Sequence, residues 1–143
     1  MTDAAGREAV VASCYDEPVP TKRTATKLTL LAGGGVLAVA LVALSLPAGS
    51  KVLVPAYTFP ATINVVLLSG LVPILVDVDP ATFNVDVESA RRALDGDDGT
   101  NDGRRPAVLL AVHQFGLPAP LDLLGPLCDE RDVTVVEDAA CAL

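Results

Sequence analysis

Short apolar runs alternate along the chain with stretches of helical length, and the rhythm begins near residue 27. Lys27–Ala32 reads as a strand, Gly33-Gly34-Gly35 as a turn and Val36–Leu44 as a small apolar helix. The turn Pro47-Ala48-Gly49-Ser50 leads into a second strand, Lys51–Val54, closed by Pro55. Ala61–Ser69 carries Ile63, Val66 and Leu67 at helical spacing, and Gly70 sits where a helix C-cap belongs. The β-branched run Val72–Val78 predicts a third strand. Asp86 can cap a helix that presents Val87, Ala90 and Leu94 on one face. Ala107–Val112 is the fourth strand, Leu121, Leu124 and Cys128 lie along a helix ending near Arg131, and Val133–Val136 is the fifth strand.

This alternation predicts an α/β fold, with one mainly parallel sheet covered by helices on both faces. Ligands of such sheets bind beyond the carboxyl ends of the strands. The chemistry is therefore sought in loops 32–36, 55–60, 77–80, 113–118 and 137–141. Residues 1–26 are polar and aperiodic, a loose N-terminal extension. Asp95–Arg105 reads as a solvated loop, with no apolar residue to bury.

Composition narrows the function classes. A hydrophobic share of 51% over 143 residues supports a real core. The net charge of −8 argues against a nucleic-acid or anionic-membrane surface. Three cysteines, Cys14, Cys128 and Cys141, form no metal-ligand spacing, and an odd, sparse set fits a reducing, cytoplasmic setting. Leu28–Leu46 is uncharged and preceded by Lys22, Arg23 and Lys27, which is the hydropathy of a membrane anchor. A strand, a glycine turn and a buried helix give the same hydropathy, and the glycines interrupt the span.

Five places carry candidate chemistry. The glycines at 33–35 open a helix, where free N–H groups and the helix dipole suit a phosphate; a plain tight turn is the alternative. Tyr57 and Phe59 follow the second strand, where an aromatic can lie against a flat heteroaromatic ring or simply plug the core. Glu137 and Asp138 end the fifth strand beside small residues. A carboxylate there can pair with a protonated ring nitrogen, or cap a strand end. Asp77 and Asp79 look like a metal pair, but Pro80 points to a turn. His113 is a lone histidine at the end of the fourth strand, a structural hydrogen-bonder by preference.

Taken in order, GSKVLVPAYTFPATINVVLLSGLVPILVDVDPATFNVD, AVHQFGLPA and VVEDAACAL resemble the DegT/DnrJ/StrS family of pyridoxal-phosphate (PLP) sugar aminotransferases. The resemblance covers about residues 27–143 and is densest over 49–86 and 134–143. It implies the aspartate-aminotransferase-like PLP fold type I, with residues 27–143 as a partial PLP-binding large domain. It implies PLP as cofactor, Asp138 at the pyridine nitrogen, Phe59 stacked on the ring, Gly33 and Gly34 in the phosphate turn, and Cys141 where a glutamine or histidine is common. It implies transfer of an amino group from an amino donor such as glutamate to a keto sugar carried on a nucleotide, in a homodimer.

Departures from the pattern matter. Gly34 stands where a hydroxyl residue is usual, and the loop at 95–105 is long. The family's Schiff-base lysine lies downstream of the EDAA motif, and Lys22, Lys27 and Lys51 all precede that motif. The expectation is a truncated large domain, catalytically incomplete. A non-catalytic remnant that pairs with an intact homologue, and a small protein anchored by residues 28–46, are the alternatives.

Overall fold

A computed structural model of the chain describes residues 28–30, 34–100 and 102–142. The predicted N-terminal extension 1–26, Lys22, Lys27 and Gly33 lie outside the described residues. Five strands form one parallel sheet: β1 (Leu28–Leu30), β2 (Lys51–Pro55), β3 (Val72–Val76), β4 (Pro106–Val112) and β5 (Thr134–Asp138), in the order β1-β5-β4-β2-β3. The helices are α1 (Gly34–Ala43), α2 (Pro60–Leu68), α3 (Val87–Leu94) and α4 (Leu121–Asp129), with a short 3-10 turn at Gln114–Gly116. Each predicted strand and helix is present.

Strand alternation divides the core in two. Val52, Val54, Val108, Leu110 and Val136 face α1 and α2, where they meet Leu37, Leu41, Val65 and Val66. Leu53, Leu109, Ala111, Val133 and Val135 face the other way and pack with Ala90, Ala93, Leu94, Leu124 and Cys128 from α3 and α4. Both faces of the central strands are therefore buried, which is why these strands read as continuous apolar runs.

Helix ends follow the predicted chemistry. Asp86 caps α3, its side chain accepting the Ser89 N–H at 2.7 Å. Gly70 ends α2 at φ +71°, where a Cβ would be strained, and its N–H bonds to the Leu67 carbonyl. The face of α2 departs from expectation, and for α1 the sequence predicts no inward face. Leu67 is exposed, whereas Thr62, Val65 and Val66 are buried. These helices are apolar all round, so periodicity alone does not choose the inward face.

The membrane-anchor alternative for 28–46 is not supported. The segment contains the strand β1 and the separate ten-residue helix α1. No helix among the described residues is long and apolar enough to cross a membrane.

Candidate cofactor cleft

The carboxyl ends of β2, β4 and β5 open into a cleft of about 300 Å³, at the small end of the usual range for small-molecule sites. Its floor is Val112 and Asp138, the last residues of β4 and β5, which are partners in register. One wall is Thr58, Phe59, Ala61 and Thr62, where β2 turns into α2. Leu37 lies one turn inside α1 and brings the N-terminal end of that helix to the opposite side. Gln114, Ala140 and Cys141 complete the lining.

Of the residues singled out from the sequence, Phe59, Asp138 and Cys141 meet in this one cleft. Phe59 is 74% exposed, so its ring is open to a ligand rather than packed in the core. Asp138 is half-buried and held in place. Its Oδ1 accepts the Ala140 N–H at 3.2 Å, and its carbonyl accepts the His113 N–H at 3.1 Å. Gly34 begins α1, whereas Gly33 lies outside the described residues. Tyr57 does not line the cleft. It packs on Phe83 and Phe115, with ring centroids 5.2 and 6.3 Å away.

His113 has the structural role expected of it. It is buried, and its Nδ1 accepts the Ala119 N–H at 2.9 Å. That bond occupies the Nδ1 lone pair, so the neutral ring carries its proton on Nε2, which faces the Glu137 carboxylate at 3.6 Å. Asp79 is a turn former: its Oδ1 accepts the N–H groups of Ala81 and Thr82, and these bonds hold its carboxyl below the ordinary range. Asp77 faces Arg92 at 3.7 Å. No metal-binding cluster of His, Cys, Asp or Glu occurs among the described residues.

Two residues that sequence reasoning passed over organise the rim. Asn84, buried, accepts the Gln114 N–H at 2.9 Å and donates to the carbonyls of Leu117 and Pro118 at 3.1 and 3.0 Å. Gln114 in turn donates to the Tyr57 carbonyl at 3.2 Å. Gln114 falls within loop 113–118, already marked as a ligand loop. Asn84 gives no signal beyond being an amide in a turn.

The one lysine among the described residues is far from this chemistry in topology. Lys51 starts β2, at the edge opposite the cleft, and is 2% exposed. Its Nζ donates to Asp98 at 2.6 Å, to the Arg104 carbonyl at 2.8 Å, and to Thr100 and Asp102. Burial is the largest influence and lowers its pKa, but the carboxylates of Asp102 and Asp98 outweigh it and hold the ammonium above its ordinary value. Burial alone would raise Asp98; the Lys51 and Thr100 bonds prevail and keep it low. The Lys51 bond and the Arg104 N–H depress Asp102 strongly. The loop 95–105 is thus mostly exposed, as expected, yet it closes on a buried cation.

The model of the DegT/DnrJ/EryC1/StrS aminotransferase family matches residues 23–143. The chain belongs to this family. It is 34% identical over 124 residues to EpsN of Bacillus subtilis (strain 168), covering 85% of this chain and 31% of EpsN. It is 28% identical over 115 residues to the GDP-perosamine synthase of Vibrio cholerae, covering 80% of this chain and 29% of that enzyme. Among solved structures it is similar to NtdA from Bacillus subtilis with bound cofactor PMP, at TM-score 0.67 and 31% identity, over 77% of this chain and 23% of NtdA. The chain spans less than a third of the length of each of these proteins. Its fold is that of the PLP-dependent enzymes of fold type I, and pyridoxal phosphate is the cofactor of the family.

Proposed function

We propose that residues 27–143 form the front part of a PLP-binding large domain whose cleft holds the cofactor ring between Phe59 and the Asp138 carboxylate. The carrying observation is the meeting of Phe59, Asp138 and Cys141 with the N-terminal end of α1 in one cleft. The donor set fits the group. The lining is mainly apolar, as a ring requires, and its ionised group is a carboxylate with one oxygen already engaged by Ala140. PLP, when bound, supplies a protonated ring that accepts an electron pair from the substrate carbon.

The residues here have separable tasks. Asp138 at the end of β5 would hold a proton on the ring nitrogen through a charge-assisted hydrogen bond. Phe59 would cover one ring face and exclude water from it. The backbone N–H groups at Gly33 and Gly34 would receive the phosphate with help from the α1 dipole. Gly34 offers no hydroxyl, which forgoes about 1 kcal/mol of phosphate binding. Cys141 would border the ring on the side of the β5 loop. The family chemistry these contacts serve is amino transfer to a nucleotide-linked keto sugar.

Lys51 cannot supply the cofactor attachment, because four oxygen partners hold its amine at the opposite sheet edge. We therefore infer that Lys51 does not carry the cofactor and that this cleft takes up PLP reversibly. The test is titration of the purified chain with PLP, followed by borohydride reduction and mass mapping. Saturable binding that weakens in Phe59→Ala, with no stoichiometric pyridoxyl-lysine, is expected. Stoichiometric labelling of one lysine with glutamate-dependent amino transfer, or absence of saturable binding, overturns the reading.

A further inference from the structure

Beside the cleft three aromatic rings are presented to solvent, two of them from strained backbone. Phe115 sits at φ +53° and is 72% exposed; Phe83 sits at φ +59° and is 39% exposed; Tyr57 is 50% exposed. The left-handed region is costly for a bulky side chain, about 1–3 kcal/mol at each such residue. Core burial does not recover that cost here, because the rings face water. The three rings form a closed triangle, with Phe83 and Phe115 centroids 5.8 Å apart and their planes at 89°.

The triangle is attached to the cleft at every corner. Tyr57 precedes Thr58, a wall residue, and its carbonyl accepts from Gln114, another lining residue. Phe115 follows Gln114 directly, and the next residue, Gly116 at φ +82°, lies so close to Cys141 that a Cβ would meet its carbonyl at 3.1 Å. Phe83 precedes Asn84, which binds the Gln114 N–H and the carbonyls of Leu117 and Pro118. Three separate loops thus present aromatic surface at one rim. A mainly open ring next to a small-molecule cleft is suited to stack on a second flat ring.

We propose that Phe115, backed by Phe83 and Tyr57, is a stacking platform for the nucleobase of the nucleotide-linked substrate. It rests on the reading of the cleft as the reacting end. The sugar would lie over the cleft and the base on the aromatic rim, with recognition by ring area rather than by a base-specific hydrogen bond. Such a platform tolerates different bases, because every base has a π-face.

The probes are UDP and dTDP, with inorganic pyrophosphate as the base-free control, titrated into the purified chain by calorimetry or ligand-observed NMR. Both nucleotides are expected to bind, and Phe115→Ala to weaken them about tenfold. Pyrophosphate binding should not change, and Phe115→Trp should retain nucleotide affinity. Circular dichroism of each variant checks that the fold is kept. Phe115 contributes no core packing, so Phe115→Ala is expected to remain folded; Tyr57→Ala is the second variant should it not. Nucleotide binding that ignores these substitutions, an equal loss for pyrophosphate, or no nucleotide binding by a chain that binds PLP overturns the platform. Loss of self-association in Phe115→Ala without any nucleotide effect also overturns it, and assigns the rim to contact between copies. Ring-dependent nucleotide binding by a chain that does not bind PLP sustains the platform and defeats the cofactor reading alone.

Discussion

Replacing Lys51 by Met tests how the acidic loop is held to the sheet. The side chains of Lys51 and Asp98 are 1% and 2% exposed, so the pair is buried although the loop around it is not. Met keeps most of the stem's volume and removes the ammonium, which leaves the Asp98 carboxylate beside Asp102 with no cation between them. Deleting one partner of a buried pair costs about 3–5 kcal/mol. The loop can swing outward and admit water, so the lower end applies, about 3 kcal/mol. For a chain of this size that lowers Tm by about 10 °C in a thermal melt followed by circular dichroism. Adding Asp98→Asn to Lys51→Met removes the stranded charge and should restore at least half of the loss. The pH dependence has a definite sign. Asp98 and Asp102 titrate below their ordinary 3.8 in the fold, so their contribution is present above about pH 4 and disappears as pH falls further. Lys51 is held above 10.5, so its contribution is complete below that pH and is lost only as pH rises through the folded value. The difference between wild type and Lys51→Met should therefore be flat between about pH 5 and 10. A Lys51→Met variant melting within 2 °C of wild type, or a double variant no more stable than the single, refutes this description of the loop.

Other outcomes follow from the rim and the cleft. Asn84→Ala removes three hydrogen bonds to loop 113–118 and should cost about 2–3 kcal/mol in urea unfolding, with weaker PLP uptake because Gln114 loses its anchor. Burial pushes the Cys128 thiol up to about 11, so it should resist iodoacetamide at pH 8, whereas exposed Cys141 should react and be protected by PLP; peptide mapping reads both sites. Gly70→Ala forces a Cβ into φ +71° and should lower stability by about 1 kcal/mol, measured by the same unfolding curve.

The sheet was legible because its strands are short, β-branched and separated by turn chemistry that points one way. Asp86 and Gly70 name the ends of their helices by mechanism, and both act as read. The inward faces of α1 and α2 were not legible, since Val39, Val42, Leu67 and Leu68 are as apolar as their buried neighbours yet stand exposed. Phe59 and Asp138 were singled out because they occupy carboxyl ends and match a family motif, and they line the same cleft. Asn84 and the Lys51 cage were hidden for a common reason. Both depend on partners 30 to 53 positions distant, which no local pattern encodes. Phe83 and Phe115 gave no warning either, because a left-handed backbone at an aromatic residue is imposed by its surroundings.

The role given to Asp138 is open to direct measurement by ¹⁵N NMR of ring-labelled pyridoxamine phosphate bound to the purified chain. The spectrum is recorded across a pH range in which the free ring nitrogen loses its proton. With the Asp138 carboxylate opposite the nitrogen, the bound ring is expected to stay protonated well above the pH at which the free compound titrates, and Asp138→Asn should abolish that displacement. Binding by Asp138→Asn without the displacement would separate the carboxylate's charge from the shape of the cleft. A bound ring nitrogen that titrates like the free compound in the wild-type chain, or that titrates identically in both proteins, contradicts the placement of the cofactor against Asp138.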